Sequence, residues 1–341
     1  MRRLTILALG LAISACNNNN KDNKNSQQQQ NAAADSVYYS DIIRPVTDSL
    51  EKFPDNPPLY YRRALLLFNT HPELSLKDFE KAAALDTANV EYWAGAGEAA
   101  LASSNNKKAA ELFTRALKGA PEYSYLRYKL ATAQVLDKHY QQADSIADIL
   151  TRSADAKDQA YYLKARIAED HKDTSATIQH LRMAVSAAGD HPEYEALMEL
   201  GDLLRAQKNP DGLQYYQLAY RLDSVNAEPI YAYGRFQEDL NKKDAAITAF
   251  RKAIISDPGY EAAYMALGDI YRKDGNWKDA YVFYNLAAKA APTDADAYFN
   301  RALCQENLGK KDMALEDYSK ASSFRKDFKA AKEAISRLSK K

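Results

Sequence analysis

Residues 261–294 read EAAYMALGDIYRKDGNWKDAYVFYNLAAKAAPTD, and the fold follows from this stretch. Tyr264, Leu267, Gly268 and Tyr271 recur at helical intervals, Ala280, Tyr284 and Ala287 do so again, and Pro292 ends the second run. Thirty-four residues upstream the same positions hold Ile230, Tyr233, Gly234, Ala246, Phe250, Ala253 and Pro258. A third copy holds Trp93, Ala96, Gly97, Ala100, Ala109, Phe113, Ala116 and Pro121. Self-similarity at one fixed period is the signature of a repeat array, so the period is read before any single helix.

These spacings resemble the tetratricopeptide (TPR) pattern, with Tyr264 where Trp is commonest and Tyr284 where Phe is. Weaker copies fill the gaps, giving eight windows: 56–89, 90–123, 124–157, 158–191, 194–226, 227–260, 261–294 and 295–328. The fifth has lost one residue in its inner turn around Asn209-Pro210. The resemblance implies an all-α fold, a right-handed superhelical α-solenoid of about eight helix-turn-helix units forming one continuous domain. Small residues such as Gly97, Gly201, Gly234 and Gly268 are expected to let partner helices approach. Phe113, Phe250 and Tyr284 are expected to fill space toward the next unit, and Pro121, Pro258 and Pro292 to stop second helices. One unit cannot bury its own apolar face, so both ends need caps. A helix from Val37 to Lys52, with Ile42, Ile43, Val46 and Leu50 on one face, is expected to cap the start within 37–55, and a lysine-rich helix over 329–341 the end.

Composition agrees. The 341 residues include only 12 Gly and 11 Pro, as expected of a helical chain with few tight corners, and many of these sit at repeat positions. With 46 basic and 46 acidic residues there is no basic excess of the kind nucleic-acid binders carry, and two cysteines make no disulfide framework.

The amino terminus supplies an address. Arg2 and Arg3, the apolar run from Leu4, and Ile13-Ser14-Ala15-Cys16 form a signal segment (1–15) whose boundary resembles the bacterial lipobox. That resemblance implies a cleaved signal and a lipid on Cys16, hence a cell-envelope protein, outer-membrane-sorted by Asn17, facing either periplasm or exterior. Residues 16–36, rich in Asn, Gln and Lys, read as a disordered tether with a reach of ~24 Å.

No motif carries chemistry. Gly95-Ala96-Gly97-Glu98-Ala99-Ala100 satisfies a dinucleotide-binding pattern but lies inside a repeat helix rather than after a strand. The five histidines lack metal-ligand spacing, there is no nucleophile elbow, P-loop or C-x-x-C, and Cys304 reads as a small buried apolar residue. Neither a cofactor, a metal nor an enzymatic activity is expected.

In the family the first helix of each unit lines a concave surface, with positions 2, 5, 9, 12 and 13 facing a ligand. Position 5 holds Tyr61, Ala94, Tyr128, Tyr162, Met198, Tyr231, Met265 and Phe299; these offer contact area to a protein or peptide, or pack between units. Positions 9 and 12 from residue 158 onward read Arg166/Glu169, Asp202/Arg205, Arg235/Glu238 and Asp269/Arg272, inverting sign at each repeat. The alternation reads as a ladder of ion pairs between units, as a mixed-charge groove wall, or as both. No unit has the Lys and Asn pair with which chaperone-adaptor members grip a C-terminal carboxylate. The reading is a lipid-anchored scaffold or adaptor for a protein or peptide; the alternatives are a subunit of a secretion or outer-membrane assembly complex and a glycan-binding accessory lipoprotein.

Overall fold

The computed structural model describes residues 36–340. The signal segment, Cys16 and the tether up to residue 35 lie outside the described residues. The described residues group into two compact units divided between Ile146 and Ala147. In a stack where each hairpin meets only its neighbours, compactness is a local property with no single centre. Among the described residues every regular element is helical.

The first unit opens with α1 (Arg44–Lys52), followed by hairpins α2/α3 (Pro57–Leu67, Pro72–Leu85) and α4/α5 (Val90–Ala102, Asn106–Gly119), then α6 (Ser124–Leu136) and the start of α7 (Tyr140–Leu150). The second holds the rest of α7, then α8/α9 (Lys157–Asp170, Thr174–Ala188), α10/α11 (Tyr194–Ala206, Gly212–Leu222) and α12/α13 (Glu228–Asp239, Lys243–Ser256). Hairpins α14/α15 (Glu261–Lys273, Trp277–Ala290) and α16/α17 (Ala295–Asn307, Lys311–Phe324) follow, and α18 (Lys329–Ser339) packs on α17. α5, α13 and α15 end two residues before Pro121, Pro258 and Pro292.

The glycines mark the packing contact. A Cβ on Gly97 would lie 2.7 Å from the Phe113 ring, on Gly201 2.6 Å from Tyr216, on Gly234 2.7 Å from Phe250 and on Gly268 2.6 Å from Tyr284. Each ring therefore seats against the notch on its own unit's first helix, and Phe113, Phe250 and Tyr284 also lie in cores that include the next hairpin, with Leu126 and Leu130, with Ala263 and Leu267, and with Cys304 respectively. In the first hairpin Phe79 reaches onward onto Gly95 of the following repeat, where a Cβ would lie 2.6 Å away.

Turns are more frequent than the low glycine count suggests. In seven hairpins the first helix ends on a left-handed residue: Ser104, Lys138, Lys172, Lys208, Asn241, Gly275 and Gly309. The next amide bonds back across the turn, as Asn105 N to Ala100 O at 2.8 Å and Asp173 N to Ala168 O at 2.9 Å. Five of these corners use residues with a Cβ, which a reading of Gly and Pro alone overlooks. Lys172→Gly is expected to stabilise the protein by roughly 0.5–1 kcal/mol by relieving that conformation, read as a rise in the denaturant midpoint.

The amino-terminal cap is shorter than the expected helix. Pro45 lacks an N–H and restricts the residue before it, so α1 begins at Arg44 and Ile42 is left 77% exposed, while Ile43, Val46 and Leu50 are buried. α1 packs against α2.

Candidate functional site

The first helix of each hairpin carries the residues singled out for contact. Tyr61 lies 5.5 Å from Phe79 on its own second helix and 5.2 Å from Tyr92 of the next repeat. Tyr231 meets Phe250 at 5.5 Å and Tyr260, the N-cap of α14, at 5.3 Å, and Phe299 meets Tyr318 at 5.4 Å and Phe328, the N-cap of α18, at 4.8 Å. Tyr162 and Met198 join the core of α8–α11, Met265 packs beside Tyr284 and Cys304, and Tyr128 is half-buried. Position 5 is thus a seam residue. Its side chain rises where its own second helix meets the following repeat, and there apolar area leaves water from both sides. Packing between repeats, one of the two roles expected of position 5, is present at Tyr61, Tyr162, Met198, Tyr231, Met265 and Phe299, and these side chains and Tyr128 all remain half-buried rather than fully enclosed.

The charged positions are engaged as well. Arg166 pairs with Glu169 at 2.8 Å within α8 and with Glu199 on α10. Arg205 Nε lies 2.5 Å from Asp239, Arg235 3.1 Å from Glu238, and Lys273 reaches back to Glu238 at 2.8 Å. The ladder therefore exists, but its links between repeats run through Glu199, Asp239 and Lys273 rather than directly between the alternating positions. Burial holds the Glu199 carboxyl above its ordinary range even beside Arg166.

The sign alternation has a second cause. Asp202 accepts the Tyr216 hydroxyl at 2.5 Å and Asp269 accepts that of Tyr284 at 2.7 Å, whereas Arg235 belongs to the repeat whose notch aromatic is Phe250, with no hydroxyl to satisfy. In the last repeat Tyr318 donates to Glu306 at 2.9 Å. A buried phenol needs an acceptor, so an acid on the first helix accompanies tyrosine in the notch. Burial, then the carboxylate, raises the ionisation of Tyr216 and Tyr284 well beyond its usual range.

The sequence reading began the wall at residue 158 and missed the first unit. There the corresponding stretches hold Leu65, Leu66 and Leu136, which are 52%, 41% and 55% exposed. Glu98 is tied to Lys129 at 3.1 Å and to the Tyr125 hydroxyl at 2.5 Å. The missed signal was available by reading positions 9 to 13 from the first window onward.

In the second unit a cleft of about 490 Å³ lies among Arg235, Glu238, Asn241, Lys243, Ile270 and Lys273, and its lysines are paired, Lys273 with Glu238 and Lys243 with Asp274 at 3.0 Å. Cys304 is fully buried, and burial pushes its thiol up to about 12. His71, His139, His171 and His191 are exposed, while His180 is half-buried in α9.

Glu261, at the start of α14, stands against Asp294, the N-cap of α16, whose carboxylate also accepts the Asp296 amide at 2.8 Å. Burial, then the Asp294 charge, pushes Glu261 up to about 7. An acid whose folded value exceeds its unfolded one favours the fold while protonated. Stability is therefore expected to fall as pH rises from about 4.5 to about 7. Glu261→Gln removes this dependence, checked by denaturant midpoints across that range; an unchanged slope in the variant counts against it.

Comparison with known proteins agrees with this geometry. One tetratricopeptide-repeat family model matches residues 65–124 and 234–295, and another matches residues 295–335. The chain is 26% identical over 303 residues to DnaJ homolog subfamily C member 7 of Homo sapiens, covering 83% of this chain and 56% of that protein. It is 25% identical over 224 residues to Protein FlbA of Caulobacter vibrioides, covering 64% of this chain and 37% of that one. The chain thus spans less than two thirds of the length of these relatives. The solved C-terminal part of a TPR repeat-containing protein from Cytophaga hutchinsonii superposes with a TM-score of 0.57 at 17% identity, covering 72% of this chain and 99% of that structure. Repeat period, notch packing and family models converge: this chain belongs to the tetratricopeptide-repeat family, an all-α solenoid fold that serves as a scaffold for protein interaction.

Proposed function

We propose that this protein is a non-catalytic, membrane-anchored adaptor of the bacterial envelope, held by a lipid on Cys16, that binds a protein or peptide on the first-helix faces of its repeats. The observation that carries the binding half is the contrast between the two walls. In the second unit the alternating charges are paired or hold buried phenols, so a ligand there has to displace existing partners. In the first unit Leu65 and Leu136, at positions 9 and 13, stand open to water, and large exposed apolar side chains on a family-typical contact face offer area to a partner at no such cost. The ligand is accordingly a segment with apolar side chains.

Photo-crosslinkers placed at Leu65 and Leu136 in living cells are expected to capture a discrete protein, whereas crosslinkers at exposed Asp202 are expected to capture little. Equal capture at all three sites, or none, would overturn the assignment. The anchor is tested separately: Cys16→Ala is expected to move the protein from the membrane to the soluble fraction, and a variant that stays with the membrane rules the lipid reading out.

A further inference from the structure

Two repeats carry a buried ion pair where others carry apolar residues. In the first hairpin Arg63 Nε and Nη2 donate to the two oxygens of Asp78 at 2.6 and 2.8 Å. The third nitrogen, Nη1, donates to Thr47 Oγ1 on α1 at 3.3 Å, and the guanidinium lies 4.0 Å from the centre of the Tyr38 ring. In the last hairpin Arg301 Nε and Nη2 donate to Asp317 at 2.6 Å each, Nη1 donates to Asn285 on α15 at 2.8 Å, and the guanidinium lies 4.9 Å from the Tyr298 ring. Asp78 and Asp317 directly precede the notch aromatics Phe79 and Tyr318, and Arg63 and Arg301 directly precede the buried Ala64 and Ala302, the first hairpin being one residue shorter between the two. Asp78 and Asp317 are each 3% exposed.

Interior repeats place Ala96 with Leu112, Leu200 with Tyr215, and Leu267 with Phe283 at these positions, and each pair lies in the apolar core formed with the preceding repeat. This is the face by which a hairpin recognises its predecessor. The fourth repeat has Lys164 there, paired at 2.7 Å with an exposed Asp148, which is no bidentate buried clamp.

Eight similar hairpins of one period present a stacking problem, because apolar faces are interchangeable and repeat chains misassemble through them. A buried bidentate pair adds little stability over an apolar pair of equal volume. It does penalise any neighbour that leaves its remaining donor unsatisfied. We infer that the Arg63–Asp78 and Arg301–Asp317 clamps are stacking-order keys: each admits only a predecessor that offers an acceptor, Thr47 of the cap for the first hairpin and Asn285 for the last. Burial is consistent with a role other than stability, since the Asp78 carboxyl is held above its ordinary range despite two bonds from Arg63.

The test uses the full chain with Arg63→Met/Asp78→Leu and Arg301→Met/Asp317→Leu, unfolded in denaturant and refolded. Each double variant is expected to keep the parental thermal midpoint or exceed it. The share recovered as one homogeneous species at the parental elution volume on size exclusion is expected to fall by about half. Recovery equal to the parent overturns the inference. So does failure to fold or a large loss of midpoint, because the pair is then a stability element. Thr47→Val, which keeps the cap's shape but removes both the acceptor for Arg63 and the hydroxyl's own bond to the Tyr38 carbonyl at 2.8 Å, gives a second readout: amide exchange over residues 44–52 is expected to quicken by about tenfold more in the parent than in the Arg63→Met/Asp78→Leu background, the worth of one bond to a charged donor. Equal quickening in the two backgrounds, or none, also counts against the key.

Discussion

Truncating Phe250 to alanine is expected to cost about 3–5 kcal/mol, the range for removing a fully buried aromatic side chain. The ring is fully buried in the notch of Gly234, lies 5.5 Å from the Tyr231 ring, and belongs to the core shared by α12, α13 and α14. The cavity cannot collapse easily, because the notch wall is helix backbone. In the opposite sense Gly234→Ala inserts a methyl 2.7 Å from the same ring and is expected to cost about 1–3 kcal/mol through overpacking. If the two residues form one contact, Gly234→Ala with Phe250→Leu is expected to cost less than the sum of the single changes, since the smaller side chain vacates the space the methyl enters. Denaturant unfolding of the four proteins gives the cycle. Strict additivity would show that the ring and the glycine act independently. The loss is expected first as local opening, because hairpins in a stack are stabilised by nearest neighbours; amide exchange in α12 to α14 should rise before the global midpoint is reached.

Asp78→Ala is expected to destabilise the first hairpin by about 3–5 kcal/mol. The change removes both bonds from Arg63 Nε and Nη2 and leaves a guanidinium that is only 9% exposed, with Thr47 as its remaining acceptor. The cost is the uncompensated buried charge rather than the worth of the pair. Adding Arg63→Met to the same chain is therefore expected to recover most of the loss, although it deletes a second native residue. Exchange protection in α1, α2 and α3, compared among parent, single and double variants, measures this. A single variant that costs less than about 1 kcal/mol would mean that water reaches Arg63 and screens it.

The tyrosine and phenylalanine alternation in the notch clarifies the charged wall. Asp202 and Asp269 have ligand-facing positions by family precedent, yet each accepts a phenol from within its own hairpin. Their usefulness to a partner is reduced by that bond. The sign inversion visible in the residue order records internal satisfaction as much as recognition.

Period, helix order and the pairing of a small residue with a large one were legible in the residues alone. Helical spacing, proline stops and a 34-residue repeat are local regularities that need no neighbour to be read. The ion-pair ladder was also legible as a possibility, but its partners were not. Glu199, Asp239 and Lys273 come within reach of Arg166, Arg205 and Glu238 only when one first helix lies beside the next. The cap was misread in one local respect, because Pro45 starts the helix rather than sitting inside it. Tertiary structure alone decided two things: that the notch rings seat against their own unit's glycines within a core that includes the next hairpin, and that position-5 side chains pack where one hairpin meets the following helix. Each depends on which of two nearby faces excludes water, and contacts across helices settle that choice where spacing along the chain leaves both faces available.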